Sequence, residues 1–282
     1  MNDVEVESLV KEMLNNSEHP SATVLKMYEF TNKHKSFASK KFNGFTLYFE
    51  HAFELLVDLV FAINYSPKKQ YPKYRTPQIF LLKNNLGPLF SGFERSVSGF
   101  YDEGLILFRA CYEAIIKVYF ISFYPSDYEA VLVRKLPKGK RQFNLSNFVD
   151  TDLKVDWDFI YRLLSRYTHG NTAKTLLELL DLSRNGQTEP ISFELMYNED
   201  RFSTTMNMCN FIVWNYLKVF QELLVKPVES SFDPKLLKNL SDTEKVFGAM
   251  IKLTPNKKFA NTYDEVIQIF NKIAEREKSY SA

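Results

Sequence analysis

The 282 residues are 45% hydrophobic and 25% charged, with a formal net charge of +2. That is the make-up of a globular chain with no overall field to draw it to nucleic acid or membrane. Glycine is scarce at 9 residues and aromatics reach 15%, which argues against a turn-rich β fold and for helices. The only cysteines, Cys111 and Cys209, offer neither a disulfide framework nor a zinc spacing. Both sit in apolar helical stretches and are expected as buried free thiols.

The chain begins MNDVEVESLVKEM, where Val6, Leu9, Val10 and Met13 predict an amphipathic helix over residues 3–16. This acidic start lacks the basic and apolar regions of a secretory leader, and no uncharged apolar run approaches a membrane span. A cytoplasmic location is the expectation. Residues 21–35 predict a second helix through Val24, Leu25, Tyr28 and Thr31; residues 39–64 predict a stronger third, with apolar positions from Phe42 to Ile63. Residues 65–78 hold Pro67, Pro72 and Pro77 and read as a loop. Lys68, Lys69, Lys73 and Arg75 lie there among Tyr71 and Tyr74. Such a pattern can bind single-stranded nucleic acid, and a solvated connection is the plainer reading. A short helix follows over 79–85, ahead of Gly87-Pro88.

A long helix is predicted from Ser91 to Pro125. Its portion 100–124, FYDEGLILFRACYEAIIKVYFISFY, is apolar nearly all round, which sets it at the centre of a bundle. Gly92, Gly99 and Gly104 suggest a close crossing with another helix. Arg109, Glu113 and Lys117 are spaced four apart and share one face, so Glu113 can reach both neighbours. Ser126–Glu129 fits a capping box that restarts a helix to about Lys135. The basic loop Arg134, Lys135, Lys138, Lys140, Arg141 comes next.

Asp156 is the expected N-cap of a helix over 157–168, which Gly170 ends. Asn171 or Thr172 caps a leucine-rich helix over 173–182. Ile191, Phe193 and Leu195 alternate with polar residues as a short strand would. Residues 202–225 form the last strongly apolar helix, stopped by Pro227. Two amphipathic helices, 233–253 and 262–277, complete the chain. Ser241/Glu244 and Thr262/Glu265 both fit capping boxes, and the first pair allows a break within 233–253.

The predicted fold is therefore all-α: a helical bundle with N- and C-terminal helical additions and one short extended segment. Residues 1–90 supply the N-terminal helices and the Pro-rich basic loop, 91–226 the core and 227–282 a C-terminal appendage, and one domain can hold all three.

Glycine-rich phosphate loops, HExxH, clustered Cys/His ligands and GxSxG are all absent from the sequence. The chemistry-bearing stretch that remains is YRLLSRYTHGN, residues 161–171. Arg162, Arg166 and His169 share one helix face, and Tyr161, Ser165 and His169 form the neighbouring row. The helix after Asn171 adds an N-terminus, whose unpaired N–H groups favour an anion. Two arginines and a histidine beside it can hold a phosphate and move a proton. The plainer alternative pairs Arg162 or Arg166 with Glu113 or Asp158 and leaves His169 capping helix carbonyls. Arg109–Glu113–Lys117 is likewise a buried charge ladder on that view.

The pair FRACYEAIIKVYF and YRLLSRYTHGN resembles an uncharacterised bacterial group of HEPN-like proteins. One helix of that group carries Arg-x-x-x-Glu, matched by Arg109 and Glu113, and a later helix ends in Ser-x-x-x-His, matched by Ser165 and His169. The resemblance covers residues 91–182 and extends to 202–225 as the closing helix. It implies a compact helical bundle that often dimerises across its Arg/His face. It also implies, for many members, a metal-independent ribonuclease of toxin–antitoxin, CRISPR or antiphage systems. The family motif is an arginine, four to six residues, then a histidine; six residues separate Arg162 from His169. Leu164 stands where arginine is commoner, and Leu163 where a polar residue is usual.

Two function classes follow from the resemblance. The first is a metal-independent endoribonuclease of a toxin or antiphage system. Here His169 is the acid–base group, Arg162 with Arg166 neutralises the phosphate, and Glu113 orients one of the arginines. Tyr161, Ser165, Asn171 and Arg109 support the site. The second is a non-catalytic HEPN-like module that uses the same corner for a nucleotide, RNA or a protein partner. Both expect RNA or a nucleotide as ligand and allow a homodimer. Neither expects a cofactor, a metal or a membrane, and the sequence carries no DNA-specific signal.

Overall fold

A computed structural model describes residues 24–65, 71–132, 142–153, 160, 161, 163, 164, 199–254 and 257–281. Among these the regular elements are all helical, with no strand, as the periodicities predicted. The helices 3–16 and 173–182 and the extended segment 191–195 lie outside the described residues.

Helix α1 (Val24–Lys41) meets α2 (Asn43–Tyr65) at Phe42; α3 (Arg75–Val97) and α4 (Tyr101–Phe123) follow. A 3-10 turn over Pro125–Val131 comes next, then α5 (Leu145–Phe148), which runs into a π turn over Val149–Leu153. Helix α6 (Glu199–Val219) continues as a π turn, Phe220–Val225, and a 3-10 turn, Lys226–Ser231, before α7 (Pro234–Lys252) and α8 (Lys257–Ser281). The 3-10 turn beginning at Pro125 replaces the capped helix expected from Ser126, and no side chain caps it. The helix ends at Val225, as expected ahead of Pro227, which lies at the start of the 3-10 turn that follows.

The centre of the molecule is the antiparallel hairpin of α3 and α4. The sequence predicted a short helix over 79–85 and a long one from Ser91; the structure instead carries α3 straight through Gly87-Pro88 and breaks at Ser98–Phe100. Proline removes one helical donor. Close by, Asn85 Nδ2 donates to the Leu81 carbonyl at 2.7 Å, adding a side-chain bond to the backbone ladder. The break is a Schellman turn: Phe100 N–H donates to Arg95 O at 2.9 Å and Gly99 N–H to Ser96 O at 3.1 Å. Gly99 sits at φ +90, which a side chain would resist.

Beyond this turn the two helices run back along each other in close register. Gly92 faces Phe108 and Gly104 faces Ser96. Cys111 Sγ lies 3.5 Å from Asn85 O, and Gln78 Nε2 donates to Val118 O at 2.9 Å and to Ser122 Oγ at 2.7 Å. The glycines do mark a close crossing, between the two halves of this hairpin.

Residues 118–123 of α4 are buried without exception, which sets this helix at the bundle centre as its composition implied. Helix α6 packs on it, with Tyr119 Oη donating to Asn215 Oδ1 at 2.9 Å in the dry interior. Helix α7 docks on α6 as one unbroken helix. Asp233 caps it through Lys235 N–H at 2.8 Å, and Ser241 falls mid-helix. Glu244, expected to cap a new start, is instead buried and accepts from Trp214 Nε1 at 2.7 Å. Helix α8 begins five residues before Thr262, whose hydroxyl donates back to Phe259 O. It clasps the end of α4: Tyr119 meets Phe270 edge-on, and the Arg276 guanidinium lies 4.5 Å from the Phe123 ring centroid. One buried cluster therefore runs from Ala38 on α1 to Ile273 on α8. The boundary expected between residues 90 and 91 falls inside α3.

Candidate functional site

Of the predicted corner, Arg162, Ser165, Arg166, His169 and Asn171 lie outside the residues whose side chains the structure describes. Its first residue, Tyr161, is described, with Arg109 and Glu113 beneath it. Arg109 projects from α4 one turn before Glu113, and its Nε donates to Glu113 Oε1 at 2.9 Å. Its Nη2 donates to Tyr161 Oη at 3.0 Å, and its Cζ lies 5.1 Å from the Tyr161 ring centroid. Tyr161 is thus a hydrogen-bond acceptor and a π surface for one guanidinium.

The local sequence explains this placement. Ile160 and Leu164 are fully buried and Leu163 packs against the core, so the helical residues around Tyr161 press their apolar side inward. That leaves the phenol at the edge, over α4. Arg109 keeps 16% of its side chain exposed and Glu113 32%. The pair is half-buried at the rim, where an ion pair is screened less than on an open surface.

The predicted ladder forms only in its first rung. Among the described residues Glu113 pairs with Arg109 and not with Lys117. Packing of the 161–171 stretch near α4 is observed at Tyr161. The Arg109–Tyr161 link spans 52 positions of sequence and had no local signal.

In the first basic stretch Lys68 and Lys69 lie outside the described residues, and Arg75 opens α3 as a buried residue instead of a loop cation. Arg75 is 3% exposed, ion-paired to Glu277 and bonded to Gln78 Oε1 at 3.0 Å. Tyr71 donates to Leu224 O at 2.8 Å, and burial pushes its phenol up to about 12. Both residues dock the loop into the fold, while Lys73 alone of its described cations stands exposed. The second basic loop, Arg134–Arg141, is outside the described residues.

The two cysteines are buried free thiols, as expected. Burial pushes Cys111 up to about 12 and raises Cys209 well above the ordinary thiol value, which silences both as nucleophiles. Among the described residues no group of three His, Cys, Asp or Glu side chains could hold a metal ion. No described helix is long and apolar enough to cross a membrane.

No protein-family model, curated protein or solved structure matches the chain.

Proposed function

We propose that this chain is a HEPN-like helical protein whose 161–171 corner cleaves RNA without a metal ion, as an effector of a toxin or antiphage system. The observation that supports this reading is the Arg109–Tyr161 contact. It joins the Arg-x-x-x-Glu pair of α4 to the first residue of the corner, and the resemblance rests on those two stretches.

In this reading His169 takes the proton of a ribose 2′-hydroxyl, and the freed oxygen attacks the adjacent phosphorus. The bond to the 5′-oxygen breaks and that oxygen takes up a proton, leaving a cyclic phosphate and a 5′-hydroxyl. Arg162, with Arg166, neutralises charge on the phosphate oxygens. Ser165 and Asn171 supply hydrogen bonds beside them. Glu113 acts at one remove, by orienting Arg109 under Tyr161. A second copy of the chain across the His169 face would complete a groove for the RNA strand.

One observation favours the non-catalytic alternative. Leu164 stands where the resemblance expects an arginine and is fully buried, so that position faces the core and not a ligand. On this second reading the corner binds RNA, a nucleotide or a partner chain and cleaves nothing.

Incubating the purified protein with a broad RNA pool in EDTA separates the two. The expected result is cleavage by the wild type that disappears in folded His169→Ala and Arg162→Ala variants. Cleavage unchanged in His169→Ala sinks the nuclease reading. RNA bound but uncleaved by the wild type, and released by Arg162→Ala, establishes the binding module.

A further inference from the structure

A second concave site lies between α1 and the α3–α4 hairpin, away from the 161–171 corner. It encloses about 610 Å³, within the range of small-molecule sites. Leu107 of α4 lines it, two residues before Arg109 and so about 200° round the helix axis from that side chain. The groove and the Arg109–Tyr161 contact therefore occupy different sides of α4, and the chemistry of the groove is independent of the nuclease reading.

Three aromatic rings from separate elements converge on this groove: Tyr28 from α1, Phe90 from α3 and Phe100 from the Schellman turn. Tyr28 is 64% exposed and Phe90 41%. Exposed apolar side chains scattered singly need no explanation, whereas rings gathered round one concavity mark a recognition surface.

The charges are equally uneven. Glu94, the carboxylate of the lining, is taken by Lys35 at 2.5 Å. That pairing leaves Arg95 over. Its guanidinium lies across the Phe100 ring, with Cζ 5.5 Å from the centroid. Among the described residues no carboxylate pairs with it. The turn fixes the Arg95 backbone, whose carbonyl accepts the Phe100 N–H that closes the Schellman motif. Ser98, 5% exposed, lines the same wall.

A guanidinium beside a ring, with no carboxylate on its donor fork among the described residues, suits a two-oxygen anion such as a carboxylate or phosphate. We propose that this groove binds a small aromatic anion, its ring against Tyr28 and Phe90 and its carboxylate or phosphate on Arg95. Aromatic carboxylates and mononucleotides share that chemistry, and two probes distinguish them.

Isothermal titration of the full chain with 1-naphthoate and with adenosine monophosphate tests the site. Adenosine and inorganic phosphate serve as half-ligands. At least one of the two anions is expected to bind with a Kd below about 1 mM, and each half-ligand about tenfold more weakly than the intact nucleotide where that is the probe that binds. Arg95→Ala is expected to weaken binding by about tenfold or more and Arg95→Lys by less, since lysine keeps the charge and loses the fork. Phe90→Ala, at an exposed position, is expected to weaken it as well. The inference is overturned if neither anion binds, or if Arg95→Ala leaves the Kd unchanged.

Discussion

Gly104→Ala probes the contact on which the placement of α4 depends. A Cβ at position 104 would overlap Ser96 Oγ and come within 3.0 Å of the Gly92 carbonyl oxygen. The backbone oxygen cannot yield unless the hairpin opens. Ser96 is wholly buried and donates to that same oxygen at 2.6 Å, so displacing its hydroxyl strips a buried hydrogen bond. Three magnitudes compete. Alanine gains about 1 kcal/mol of helix propensity over glycine. Overpacking costs about 1–3 kcal/mol, and a buried hydroxyl left without its partner costs about 1–3 kcal/mol more. The net expectation is a loss of about 3 kcal/mol, or roughly 6–12 °C in Tm for a chain of this size. Guanidinium denaturation followed by circular dichroism reads this directly. Removing the hydroxyl as well should relieve part of the clash, so the Ser96→Ala/Gly104→Ala double variant should cost at least about 1 kcal/mol less than the sum of the singles. A Gly104→Ala protein as stable as the wild type would refute the close crossing.

Tyr161→Phe removes the acceptor for Arg109 Nη2 and keeps the ring, so a loss of about 1 kcal/mol is expected in chemical denaturation. Arg109→Ala should cost more, because it also releases Glu113; equal stabilities for both variants and the wild type would dissolve the link between α4 and the corner. His34 is buried, its Nδ1 3.3 Å from Val97 O and its Nε2 2.9 Å from Tyr101 Oη, and burial holds its pKa below the ordinary 6.5. A lowered histidine pKa means that the unfolded chain takes up the proton first. Stability is therefore full above pH 6.5 and falls as the pH drops toward the lower native value. In thermal melts from pH 7 to pH 4.5, His34→Gln should flatten that part of the decline, and an unchanged slope would exclude His34 as its source. Both thiols should stay unreactive toward an aromatic disulfide reagent in the native protein and react on denaturation, given burial that pushes Cys111 up to about 12. Rapid native labelling would contradict the packing of α4 on α6.

Much of the bundle was legible because helical periodicity is a local property. The apolar run 100–124 coincides with α4, and its lack of a polar side announced its central position, although the helix expected from Ser91 began only after the break at Ser98–Phe100. Punctuation by proline misled. Pro88 stands inside α3, where the helix tolerates the missing donor, while the break came at Ser98–Gly99, whose turn is closed by bonds reaching back to Arg95 and Ser96. The capping boxes misled for a related reason. Glu244 has the right spacing from Ser241, but burial against Trp214 is a stronger demand than the cap.

The candidate site divides in the same way. That Arg109 and Glu113 share a face follows from their spacing of four, and the sequence by itself determined that they would meet. It also determined the helical class and the inertness of two cysteines set in apolar helices. Only the tertiary structure decided that Tyr161, 52 residues away, would complete the arginine's shell. It also decided that Arg75 would pair with Glu277 and that Arg95 would lie beside a ring with no carboxylate on it among the described residues. Periodicity ranks the faces of each helix by burial. The partner a charge finds depends on which faces are brought together across the bundle, and that is a property of the packed whole.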